Sequence, residues 1–138
     1  VGNAPRAVVL VENKECAMKM YETFLAYTKY NSLRVYVGHE QLHIDIQKSE
    51  IFEGTDILIS TPKTMNKLFL LNGVSTAQLK IISIDDAEFL SQHSSYSAVM
   101  SISQSIQKCQ YVIYSEKSTS MLKRFESYFM EHSKIVSF

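Results

Sequence analysis

The sequence predicts an α/β fold, a three-layer sandwich built on a mainly parallel sheet of five or six strands. Short apolar, β-branched runs recur along the chain, and helical stretches with three- and four-residue apolar spacing separate them. The runs are apolar at nearly every position, which suits strands buried on both faces. Strand alternating with helix implies right-handed crossovers that place helices against both sides of the sheet.

The first run is Ala7 to Val11 (AVVLV), followed by a helix over Lys14 to Lys29 that spaces Ala17, Met20, Tyr21, Phe24 and Tyr27 along one face. The second and third runs are Leu33 to Val37 (LRVYV) and Asp56 to Ser60 (DILIS), with a helix over Thr64 to Leu71 after them. The fourth is Lys80 to Ile84 (KIISI), followed by a helix over Ser95 to Ile106. The fifth is Gln110 to Tyr114 (QYVIY), followed by a helix over Ser118 to His132, and Ile135 to Phe138 is a candidate sixth strand. No linker, repeat or low-complexity segment divides residues 1–138, so one domain is expected.

At 138 residues, 46% apolar and 20% charged, the composition is that of a globular domain able to bury a core. No apolar run approaches the roughly 18 residues of a membrane span, and no signal-peptide pattern opens the chain. Neither a membrane partner nor secretion is expected. Fourteen basic residues balance fourteen acidic ones, so any nucleic-acid site must be a local patch. Cys16 and Cys109 fall in stretches that read as helix and helix end; without framework spacing they are expected as reduced thiols of a cytoplasmic protein. The chain begins at Val1, and is read as a piece of a longer protein.

In open α/β sheets the chemistry gathers where strands end at their carboxyl side. After the successive strands come Glu12-Asn13-Lys14-Glu15-Cys16-Ala17, Gly38-His39-Glu40, Thr61-Pro62-Lys63-Thr64, Asp85-Asp86-Ala87-Glu88 and Ser115-Glu116-Lys117. Paired carboxylates at a strand end can hold a hydrated magnesium ion and a water beside a phosphate. They equally suit a charged turn opening a helix. Residues 39–43, HEQLH, carry the spacing of a zinc-peptidase helix, two imidazoles one turn apart with a carboxylate beside them.

Taken in order, these pieces resemble the first RecA-like domain of the DEAD-box RNA helicases, over most of the chain. The family's Pro-Thr-Arg-Glu-Leu-Ala is similar to residues 12–17, which keep the basic residue, the Glu and the Ala. Its Gly-Gly is similar to Gly38-His39, and its strand ending in Thr-Pro-Gly-Arg to the segment from Gly54 to Thr64. The Asp-Glu-Ala-Asp box falls on Asp85-Asp86-Ala87-Glu88 and the Ser-Ala-Thr motif on Ser115-Glu116-Lys117.

The resemblance implies roles. Asp85 would hold magnesium through water, only with nucleotide, and Asp86, one methylene shorter than the family's Glu, would orient the attacking water. Lys14, Gly38, Thr61, Pro62, Lys63 and Thr64 would meet the RNA backbone independently of sequence. Lys63 stands one residue ahead of the family's arginine, and reads equally as a solvated helix-start lysine. Glu88, Ser115 and Lys117 would form the motif coupling hydrolysis to strand separation, with a Glu88–Lys117 pair replacing the family's hydrogen bonds. His39 is then expected in a loop and His43 on a helix flank, not together on a metal-binding helix.

The sequence contains no G-x-x-x-x-G-K-[ST] phosphate loop. The resemblance implies Mg-ATP and a second RecA-like domain in the full-length protein. The isolated chain is expected to use no cofactor and to be inactive. The altered box leaves a second class open, a degenerate RecA-like scaffold that binds RNA or protein without catalysis.

Overall fold

Along the first strand, Val8 and Leu10 turn to one side of the sheet and Val9 to the other, and all three are buried. That alternation across an otherwise unbroken apolar run gives the sheet two dry faces. In the computed structural model the described residues are 4–28, 32–85, 87–104, 106, 109–115 and 123–124. They form β1 (Ala7–Leu10), α1 (Lys14–Thr28), β2 (Val35–Gly38), α2 (Ile44–Phe52), β3 (Ile57–Ser60), α3 (Pro62–Leu70), β4 (Ile81–Ile84), a 3₁₀ turn (Ala87–Ser91), α4 (His93–Gln104) and β5 (Gln110–Ile113).

The strands make one sheet in the order β2-β3-β1-β4-β5, every neighbouring pair parallel. This is the α/β architecture expected from the alternation. The expected sixth strand, Ile135 to Phe138, and most of the helix over Ser118 to His132 lie outside the described residues.

The core divides by face. Val8, Leu10, Leu58, Ile82 and Ile84 pack with Ile51 of α2, Met65 and Leu68 of α3, and Val99 and Ile102 of α4. Val9, Val11 and Ile59 pack with Ala17 of α1, whose Met20, Tyr21 and Phe24 cover the rest. Helices on both sides of one sheet are the three layers. No helix among the described residues is long and apolar enough to cross a membrane.

Local chemistry sets the element ends. Asn13 caps α1, its Oδ1 accepting from Cys16 N at 2.9 Å. Thr61 caps α3 from an extended backbone (φ −72°, ψ 151°), with Pro62 in the first turn where its missing N–H costs no helical bond. Helix α3 therefore begins two residues before the Thr64 start that apolar spacing alone suggests. Asn72, at φ 54°, carries the chain out of α3, and Gly73 N closes the turn on Leu68 O at 2.7 Å. Gly54, at φ 129°, does the same after α2 in a conformation that a side chain would strain.

Two expectations are corrected. Cys109 is not at a helix end; it precedes β5 by one residue, and both cysteines are free thiols. Burial pushes the Cys109 thiol above its ordinary value. Helix α2 was not among the expected helices. Its Ile46 and Phe52 are exposed, and the residues facing inward are Gln47 and Ile51, so apolar spacing does not mark its buried side.

The amino-terminal edge of the sheet is fastened by charge. The Asp56 carboxylate, just before β3, is buried and accepts from Arg6 Nη2 before β1. It also accepts from Arg34 before β2, through N at 2.8 Å, Nε at 3.2 Å and Nη2 at 3.0 Å. The Arg34 guanidinium holds the Asp56 carboxyl below its usual range, against the opposing pull of burial.

Candidate functional site

Sheet register places the candidate residues in one row. Gly38 pairs with Ser60, Ser60 with Leu10, Leu10 with Ile84 and Ile84 with Ile113. The next residue of each strand therefore stands at the same carboxyl-terminal edge: His39, Thr61, Val11, Asp85 and Tyr114. Ladder-type bonds carry the row one step further, Val11 N to Ser60 O (3.1 Å), Asp85 N to Leu10 O (3.0 Å) and Tyr114 N to Ile84 O (2.9 Å). Asp85 and Thr61 share this edge, as the alternation of elements predicts.

The segment after β2 is a tight turn, not a helix. Gln47, reaching out of α2 and only 1% exposed, holds it from inside. Its Nε2 donates to His39 O at 2.8 Å and Leu42 O at 2.7 Å, and its Oε1 accepts from His39 N at 3.2 Å. His39 Nδ1 accepts from Gln41 N at 3.1 Å, and His43 Nδ1 accepts from Asp45 N at 3.2 Å as the cap of α2. HEQLH is therefore a loop histidine, a turn and a helix cap. Its two rings do not share a helical face. Among the described residues no group of three or more His, Cys, Asp or Glu side chains is gathered for a metal ion.

Gly38 is close-packed. A Cβ there would sit 3.2 Å from Gln47 Oε1 and from Ser60 Oγ, and 3.4 Å from Thr64 Cγ2. The glycine lets β2 end directly against α2 and α3, which brings the turn over the α3 N-terminus.

Around that junction the carried-over residues do meet. Lys14 Nζ donates to Gln41 Oε1 at 2.7 Å, bridging α1 to the turn. Thr61 Oγ1 donates to Glu40 Oε1 at 2.6 Å and accepts from Thr64 N at 3.4 Å. Thr61, Pro62 and Thr64 are buried and Lys63 is exposed. A cleft of about 500 Å³ opens between residues 39–44 and the first turns of α3, with Lys63 and Lys67 on its wall. Its lining carries both signs of charge, the Glu40 carboxylate facing Lys63 and Lys67, and includes residues of the first two turns of α3.

On the other side of β1, Asp85 is half-buried and Ser115 exposed. Asp86, Lys117 with its neighbour Glu116, and the side chain of Glu88 lie outside what the structure describes. The Glu88 backbone belongs to the 3₁₀ turn, where Ala87 N donates to Tyr114 O at 2.8 Å. Sequence reasoning named Lys14, Gly38 and Thr61 but missed Gln47 and Glu40. An amide three residues into a helix and a carboxylate in a turn carry no local signal of the tertiary partners they take.

Comparison with known proteins agrees with this fold. The sequence model of the DEAD/DEAH box helicase family matches residues 1–122. The chain is similar to the ATP-dependent RNA helicase RhlB of Psychromonas ingrahamii, 26% identical over 88 residues, covering 62% of this chain and 21% of that relative. The crystal structure of the yeast DEAD-box splicing factor Prp28 shares the fold, with a TM-score of 0.79 at 13% identity over 92% of this chain and 31% of that one. The chain thus spans about a fifth of the curated relative and about a third of the yeast structure.

Proposed function

Because this chain belongs to the DEAD/DEAH box helicase family as a first RecA-like domain, we propose that residues 1–138 are one partial such domain. In a full-length ATP-dependent RNA helicase it supplies the carboxylate box and the loops that hold the RNA backbone. The observation that supports this reading is the single edge bearing the Gly38–His39 turn, Thr61 and Asp85, with Lys14 and Lys63 beside it.

At the RNA side, Lys63 and Lys67 act as point charges toward phosphate, next to the partial positive charge of the α3 N-terminus. Pro62 fixes that first turn, and the Thr61 and Thr64 hydroxyls and the close approach at Gly38 shape the wall. Such contacts carry no base information, so binding is sequence-independent.

At the nucleotide side, Asp85 fits magnesium held through water, since a half-exposed carboxylate at a strand end is a hard oxygen donor. Mg-ATP, when bound to the full-length protein, supplies the phosphoryl group and neutralises its charge. Asp86 orients water, and Glu88, Ser115 and Lys117 couple the two sides. A second RecA-like domain completes the site, and the isolated chain does not turn over ATP.

The altered box Asp85-Asp86-Ala87-Glu88 and the Ser115-Glu116-Lys117 segment favour one second reading, a RecA-like scaffold that binds without hydrolysis. An ATPase assay on the full-length protein separates the two.

The RNA reading is tested by titrating wild type, Lys14→Ala, Lys63→Ala and His43→Ala with two unrelated oligoribonucleotides. Loss of either lysine weakens binding about equally for both sequences, and His43→Ala changes nothing. Wild-type binding is weak, with a log–log salt slope of roughly −1 to −3 at about −0.7 per phosphate contacted. A strong sequence preference, or loss of binding confined to His43→Ala or to added chelator, contradicts the reading.

A further inference from the structure

Two of the groups assigned above to the RNA backbone are already engaged by the turn beside them. Thr61 Oγ1 donates to Glu40 Oε1 at 2.6 Å and Lys14 Nζ donates to Gln41 Oε1 at 2.7 Å. A carboxylate oxygen is the same kind of acceptor as a phosphate oxygen, anionic and suited to short O–H···O⁻ bonds. Glu40 thus takes the place on Thr61 that a phosphate would take.

The two contacts are not equivalent. An ammonium has three protons, so Lys14 can keep Gln41 and still reach a phosphate. A hydroxyl has one, and Thr61 donates it either to Glu40 or to RNA. Its second interaction, accepting from Thr64 N at 3.4 Å, does not free that proton. Burial sharpens the conflict. Thr61 is 2% exposed, while Lys63 and Lys67 are open to solvent. A phosphate arriving from solution meets the lysines first, and its path to the Thr61 hydroxyl is closed until Glu40 leaves.

We infer that the turn 39–43 is a self-masking latch, in which Glu40 occupies Thr61 and must be displaced before the RNA backbone is fully seated. The inference rests on the RNA-backbone reading above. The latch opens without unfolding the turn. Gln47 holds the turn through the backbone of His39 and Leu42, whereas the latch is made by the side chain of Glu40 at its exposed tip. Thr61 keeps its capping bond to Thr64 in either state, so α3 stays anchored.

The test uses the whole chain and a fluorescent oligouridine, with anisotropy titrations of wild type, Glu40→Ala, Glu40→Gln and Lys63→Ala at low and high salt, and circular dichroism to verify folding. Glu40→Ala binds about tenfold tighter, the weight of one charge-assisted hydrogen bond no longer competing. Glu40→Gln falls between it and wild type, because the amide oxygen still accepts from Thr61 but without charge. The gain persists at high salt, since the contact is short-range. Affinity unchanged or weakened in both Glu40 variants, while Lys63→Ala still weakens binding, overturns the latch and leaves the RNA reading standing. Equal gains in the two variants that vanish in high salt reduce Glu40 to a repelling surface charge and also overturn it. No binding by any of the proteins removes the RNA reading and the latch with it. Should Glu40→Ala fail to fold, Glu40→Gln decides alone, and an affinity equal to that of wild type refutes the latch.

Discussion

Replacing Gln47 by leucine removes the amide that braces the 39–42 turn. Three hydrogen bonds go with it, two donated to the carbonyls of His39 and Leu42 and one accepted from His39 N. A typical net contribution of about 1 kcal/mol each gives an upper value of about 3 kcal/mol. The turn faces solvent on its other side, so water can reach part of what is freed, and leucine gains some apolar burial. The expected loss is therefore about 2 kcal/mol. With a urea m-value of about 2 kcal/mol/M for a domain of this size, the midpoint falls by about 1 M. Gln47→Glu is worse at neutral pH, because a carboxylate in a 1% exposed site faces two carbonyls. Its folded-state pKa lies above its unfolded value, so the penalty is present at high pH and is relieved as pH falls through the folded value. Paired urea melts at neutral and mildly acidic pH make the measurement. A Gln47→Leu midpoint within about 0.2 M of wild type would refute the argument that this amide organises the turn.

The Tyr96 hydroxyl is buried without a hydrogen-bond partner among the described residues, so Tyr96→Phe leaves the melting temperature unchanged or raises it by up to about 4 °C; a loss above about 1 kcal/mol would mean that the hydroxyl is satisfied. Asp56→Asn is less stable than wild type at neutral pH. Because the folded-state pKa of Asp56 is depressed, that advantage of wild type is full above the ordinary value of 3.8 and is lost as pH falls through the lower folded value, so the two melting curves converge in acid. A gap that stays constant below pH 3.8 contradicts the pairing with Arg34. The isolated chain is expected to give no micromolar calorimetric isotherm with Mg-ATP, since its sequence contains no G-x-x-x-x-G-K-[ST] motif and bare carboxylates repel a triphosphate; a clear micromolar isotherm would contradict this.

The strands were legible because burial on both faces leaves apolar residues, many of them β-branched, at consecutive positions, as in AVVL and ILIS. The start of α3 was legible in principle from Thr61-Pro62, a cap followed by a residue that cannot continue a strand interior, although apolar spacing placed it two residues late. Helix α2 was not, because its inward side carries Gln47 while Ile46 and Phe52 look outward. The site was legible in its residue types and not in its contacts. Glu40 finds Thr61 across 21 positions, and Asp56 finds Arg6 across 50, only once the register of the parallel sheet is set. Pattern reading sees one strand at a time, and these pairings depend on which strands are neighbours.

The central claim is that the carboxyl-terminal edge bearing the 39–43 turn and the α3 N-terminus receives the RNA backbone. Amide chemical-shift mapping of the ¹⁵N-labelled chain during titration with oligouridine tests it directly. Shifts are expected at Lys14, His39 to His43 and Lys63 to Lys67, the same set for a second, unrelated oligonucleotide, with Arg6, Arg34 and Asp56 at the opposite edge unmoved. Shifts gathered at the Arg6–Arg34–Asp56 edge, or a different set for each sequence, would contradict it.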